Sequence, residues 1–89
     1  MGNKILYSDS YNISDNEIYY QIAKNIYILR VEKGLSIRNL SLMVDVSERY
    51  LSYIESGHKH ASIPTIVRIA HALNVSFEEL LATGRDADG

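Results

Sequence analysis

The stretch IRNLSLMVDVSERYLSYIE, Ile37 to Glu55, decides the fold of this chain. Its apolar residues Ile37, Leu40 and Val44, then Val46, Leu51 and Ile54, recur at the three-to-four spacing that builds one buried helical face. The pattern breaks once, at Asp45, where the chain must turn sharply. A turn this tight needs a residue at positive φ, which Gly adopts most cheaply and Asp or Asn tolerate. Two short amphipathic helices joined with so little slack form a helix-turn-helix, which makes double-stranded DNA the first partner to consider.

Working outward, residues 1–16 form a polar lead-in, residues 17–82 a helical domain and residues 83–89 an acidic tail. The first helix opens where Ser14 and Glu17 stand three apart, a capping box that satisfies two orphan amides reciprocally. Its core stripe is Ile18, Ile22, Ile26 and Leu29, and Gly34 ends it. The second helix runs from the Ser36 cap to Val44, and the third from the Ser47 cap to Ser56-Gly57. The fourth follows Ser62. There Pro64 is harmless, because the first turn has no intrahelical amide partner to lose, and the core face is Ile66, Ile69, Ala70 and Leu73. Ser76 and Glu79 form a further capping box and open a short fifth helix with Phe77, Leu80 and Leu81. The fold class is therefore all-α, a five-helix domain preceded by a lead-in.

Composition narrows the chemistry. With 89 residues the chain has the size of one small domain. It contains no Cys, so disulfides and thiolate metal sites are excluded and a reducing cytoplasm is expected. No apolar run approaches ~20 residues and no signal peptide stands out, so no membrane role is expected. An enzyme is not expected either: there is no Cys nucleophile, no glycine-rich phosphate loop and no recognisable carboxylate pair, and no cofactor is implied. His58 and His60 in an H-x-H pattern lack a third ligand, since His71 falls within a helix, so no metal is expected.

The net charge of −2 runs against the positive surplus of most nucleic-acid binders. In residues 1–36, Lys4, Lys24, Arg30 and Lys33 balance Asp9, Asp15, Glu17 and Glu32. In residues 37–63, Arg38, Arg49 and Lys59 balance Asp45, Glu48 and Glu55. The surplus acid lies beyond, where Arg68 and Arg85 meet Glu78, Glu79, Asp86 and Asp88.

Candidate DNA contacts follow from a turn of ~100° per residue. If Leu51 and Ile54 face inward, Arg49, Ser52, Tyr53 and Ser56 face outward, with Glu48 and Tyr50 on the flanks and Ser47 at the cap. Arg49 is the leading candidate for base contact, because its fork matches the O6 and N7 acceptors of guanine. Glu48 can accept from a cytosine amine or simply favour the helix dipole, and Tyr53 can meet a thymine methyl or a phosphate. Tyr50, in its lateral position, is more often a packing residue than a DNA contact. Phosphate contacts are expected from Ser36 and the amides at the start of the second helix, with Arg38 and Asn39 beside them. The loop His58-Lys59-His60 lies at the other edge.

The segments LRVEKGLS (29–36), VSERYLSYIESG (46–57) and SIPTIVRIAHALNVSFEELL (62–81) together resemble the phage-repressor class of helix-turn-helix domains. This is the Cro and lambda repressor type, also called the xenobiotic-response-element family, and the resemblance spans Ile22 to Leu81. It implies a five-helix domain whose third helix enters the major groove, acting as a transcriptional repressor and as a homodimer on a palindromic operator. It also implies an internal salt bridge between Arg30 and Glu55. The chain departs from the family pattern at Ile37, where Gln commonly clamps a phosphate, at Asp45 in place of Gly, at Ser41 in place of Ala, and at Pro64, which removes an amide.

Dimerisation is expected through Val75, Phe77, Leu80 and Leu81, the alternative being that these residues close the monomer core. Tyr20, Tyr27 and Val31 form an outer stripe on the first helix. The lead-in, with Ile5, Leu6, Tyr7 and Tyr11, is expected to fold over it; a second protein is the other candidate. The reading is a sequence-specific DNA-binding regulator. Its competitor is a protein-interaction module, antitoxin-like, with weak DNA binding.

Overall fold

The computed structural model describes residues 14–85. They form five helices: α1 (Asp15–Glu32), α2 (Ile37–Val44), α3 (Glu48–Glu55), α4 (Ile63–Ala72) and α5 (Phe77–Leu81). The expected fold of the lead-in over the α1 stripe falls on residues 1–13 and lies outside the described residues, as does the tail from residue 86.

One local device is repeated along the chain. Each of these five helices begins at a serine, Ser14, Ser36, Ser47, Ser62 or Ser76, whose side chain accepts from the amide three residues on. At Ser14, Ser36 and Ser76 the third helical residue, Glu17, Asn39 or Glu79, reciprocates by accepting the cap amide. The first four helices also run into a left-handed residue: Gly34, Asp45, Gly57 and Asn74, at φ of 71°, 60°, 82° and 59°. After α1 the amide of Leu35 donates to the carbonyl of Arg30 at 3.0 Å and that of Gly34 to Val31 at 3.0 Å, a double closure that satisfies carbonyls of the last turn. The next residue, Leu35, Val46 or Val75 after α1, α2 and α4, then packs against the core. Chain reversals are thus set locally, and short helices follow one another with few spare residues.

The core draws from every element: Ile22, Ile26 and Leu29 of α1, Leu40 and Val44 of α2, Leu51 and Ile54 of α3, Ile66, Ile69 and Ala70 of α4, with Leu73, and Leu80 of α5. Two expectations change. Ile18, one turn ahead of the α1 core stripe, is 40% exposed, because the helix has already projected past the layer that would cover it. Leu80, expected at a dimer contact, is 0% exposed. It is spent on the monomer core, against which Val75 and Phe77 also pack, so of the four residues assigned to dimerisation only Leu81 stays exposed.

Asn25 is the buried polar residue the periodicity hid. It is fully enclosed in α1, where its Nδ2 donates to the carbonyls of Leu80 at 2.7 Å and Ala82 at 2.8 Å. Those are orphan acceptors at the end of α5, so one side chain both caps the last helix and fastens it to the first. Ser41, also buried, satisfies its hydroxyl by donating to the carbonyl of Arg38 at 2.8 Å. It therefore fits between α2 and its neighbours despite being larger than alanine.

Candidate nucleic-acid interface

The candidate interface is built on the α2–turn–α3 unit. Asp45, at φ 60° and ψ 49°, reverses the chain, and Ser47 restarts it by accepting from the amide of Tyr50 at 3.0 Å. Leu51 and Ile54 then anchor the inner face of α3 in the core.

The end of α3 is braced from behind. Arg30 donates from Nε to Glu55 at 2.7 Å and from Nη2 to the second carboxylate oxygen at 3.0 Å, a fork-on-carboxylate pair. Its Nη1 donates to the carbonyl of Leu35 at 2.7 Å, and its guanidinium carbon lies 5.5 Å from the centre of the Tyr27 ring. The two side chains are only 11% and 7% exposed. The pair therefore ties α1, the α1–α2 loop and α3 together at the end of α3.

On the outer side Arg49, Ser52 and Tyr53 are exposed, while Tyr50 is half-buried and packs on the core. Tyr50 thus keeps only part of its surface for a ligand. The ion pairs among the described residues are Arg30–Glu55 and Arg38–Glu48, so neither Arg49 nor Lys59 is held by a carboxylate. Arg38 reaches across from α2 to Glu48, Nη1 to Oε2 at 3.2 Å, a contact not evident from the sequence. Asn39 commits its side-chain oxygen to Ser36, accepting from the backbone amide at 3.2 Å and the hydroxyl at 2.8 Å. The amides of Ile37 and Arg38 have no intrahelical acceptor and suit a small anion, while that of Asn39 donates to the Ser36 hydroxyl at 2.9 Å.

The two loop histidines part company. The Nδ1 of His58 lies 2.7 Å from the hydroxyl of Ser56, and its ring is 6.1 Å from that of Tyr53, which keeps it beside the outer face of α3. His60 instead stacks on Tyr19 of α1, ring centres 4.0 Å apart and planes within 5°. It forms part of the wall of a groove of about 800 Å³ with Ile18, Tyr20 and Leu81, so its ring is directed toward α1 rather than along α3. No sequence signal pairs His60 with a tyrosine 41 positions earlier (60 − 19). His71 is exposed on α4. Among the described residues no helix is long and apolar enough to cross a membrane.

A family model described as helix-turn-helix matches residues 26–80, more than half of the chain, and the protein belongs to that family. An uncharacterised HTH-type transcriptional regulator of Sinorhizobium fredii is 35% identical over 60 residues, covering 67% of this chain and 78% of that protein. Another, from Rickettsia conorii, is 40% identical over 53 residues, covering 60% of this chain but 42% of that protein. Among solved structures, the clp gene regulator ClgR from Corynebacterium glutamicum superposes with a TM-score of 0.70 at 30% identity, covering 72% of this chain and 68% of that one. The restriction-modification controller protein C.AhdI from Aeromonas hydrophila gives a TM-score of 0.67 at 27% identity, covering 70% and 94%.

Proposed function

We propose that this helix-turn-helix protein is a sequence-specific DNA-binding regulator of transcription, a repressor that occupies a palindromic operator as a cytoplasmic homodimer. The observation that carries the reading is the two-faced character of α3. Its inner face is locked by Leu51, Ile54 and the Arg30–Glu55 pair, while Arg49, Ser52 and Tyr53 stand free on the other side. A rigid helix presenting a free guanidinium suits the major groove, where Arg takes the O6 and N7 of guanine. The α2 amides with Ser36, Arg38 and Asn39 on one edge, and His58 and Lys59 on the other, suit the flanking phosphates. The related regulators named above support the same reading. A two-fold pair would set its reading helices ~34 Å apart, on successive turns of one groove. Occupying the operator in this way would exclude other proteins from it.

Selection of bound duplexes from a random pool tests the proposal. A palindrome should be enriched, and Arg49→Ala should lose selectivity at one base position per half-site. The second reading, a protein-interaction module of antitoxin-like kind, draws on the net charge of −2. Enrichment of no sequence at all would favour it.

A further inference from the structure

We propose that Arg38 is a positioning residue for base recognition: it holds the carboxylate of Glu48 at the start of α3, and the two together select cytosine. The inference rests on the DNA-binding reading above. Arg38 is the second residue of α2 and Glu48 the first of α3, and only the turn at Asp45 brings them together, Nη1 to Oε2 at 3.2 Å. Their side chains are 71% and 52% exposed. So open an ion pair contributes little to the fold, and both groups remain accessible to a macromolecule. Ile37, the neighbour of Arg38 at the start of α2, is packed against the core and brings no polar group to compete for either partner.

The chemistry follows from what each group has left over. A lone carboxylate at the first turn of a groove-reading helix is repelled by the phosphates around it. Facing a guanidinium its charge is offset, and the pairing strengthens once the groove excludes water from it. The pairing uses Oε2 of Glu48, and among the described residues Oε1 makes no hydrogen bond. Oε1 can therefore accept from the exocyclic amine of cytosine, the base-edge donor that carboxylates recognise in the major groove. Arg38 in turn has five donors on its planar fork and uses one on Glu48, which leaves the others for a phosphate. The pair thus forms a chain from backbone to base, in which Arg38 shapes base preference without touching a base. Glu48 without Arg38 would meet the phosphates with its charge uncompensated.

A residue that only clamps phosphate weakens all sequences alike, so base preference tests the assignment. The full-length wild type, Arg38→Ala and Glu48→Ala are each used to select duplexes from a random pool, and each is melted as a check on folding. The wild type should enrich a site with cytosine at one position of each half-site. Both variants should lose that preference by roughly tenfold, the scale of one good base contact, keep their other preferences, and melt as the wild type does. If Arg38→Ala weakens every sequence equally with the cytosine preference intact, the positioning role is overturned and DNA binding stands. The same holds if Glu48→Ala leaves base preference unchanged. A wild type that enriches nothing overturns the DNA reading and this proposal with it.

Discussion

The Nδ2 of Asn25 lies 2.7 Å from the carbonyl oxygen of Leu80, in a fully enclosed position, and this contact sews α5 to α1. Replacing Asn25 by Ala strands the buried Leu80 carbonyl and removes the donor to the part-buried Ala82 carbonyl. An unsatisfied buried group costs about 1–3 kcal/mol, so the variant should lose roughly that much in urea denaturation. Asn25→Asp should be worse at neutral pH, since a carboxylate would face two carbonyl oxygens with no proton between them. A variant as stable as the wild type would show that water replaces the amide.

The Arg30–Glu55 pair gives a second expectation. Its members are 11% and 7% exposed, and Arg30 also serves the Leu35 carbonyl and lies over Tyr27. Removing Glu55 leaves a guanidinium enclosed without its counterion. Glu55→Ala should cost about 3 kcal/mol, read as a clear fall in melting temperature of a chain this size. The variant should also bind DNA more weakly than its residual folded fraction explains, because the end of α3 loses its brace. An unchanged melt would show that the pair is not energetically coupled to folding.

At the turn, Asp45 adopts φ 60° and carries a Cβ into a conformation that glycine enters freely. Asp45→Gly should be neutral or slightly stabilising, the relief of strain being offset by the greater freedom of the unfolded chain. Asp45→Val, β-branched at positive φ, should cost at least about 1–2 kcal/mol. Equal stability of the two variants in thermal melts would contradict the strain argument.

The scarcity of cations near α2 and α3 predicts a shallow salt dependence. Arg38, Arg49 and Lys59 are the basic residues of residues 37–63, and log affinity falls with log salt by about 0.9 for each phosphate neutralised on duplex DNA. The slope per protomer should therefore be no steeper than roughly −3. Titration at several salt concentrations measures it directly, and a much steeper slope would require phosphate contacts from elsewhere in the chain.

Much of this architecture is legible locally. The serine caps at 14, 36, 47, 62 and 76 and the left-handed stop at Asp45 involve neighbours three or four residues away, so the residue types announce them without knowledge of the fold. The core residues Leu40, Val44, Leu51 and Ile54 announce themselves through helical spacing for the same reason. Ile18 obeys that spacing yet stays exposed, because periodicity gives the direction of a side chain and says nothing of where the covering layer ends.

The helices, their caps, the tight turn and the class of protein they form can be read from residue order, since each depends on short-range backbone chemistry or on a repeated apolar pattern. The roles of the remaining polar and apolar groups emerge when the helices pack. Asn25 meets partners 55 and 57 positions away, His60 finds Tyr19, Arg38 finds Glu48, and Leu80 goes to the monomer core rather than to a second copy. Such contacts join residues whose separation in the chain carries no periodic signal, and they exist only once packing has fixed which helix faces meet.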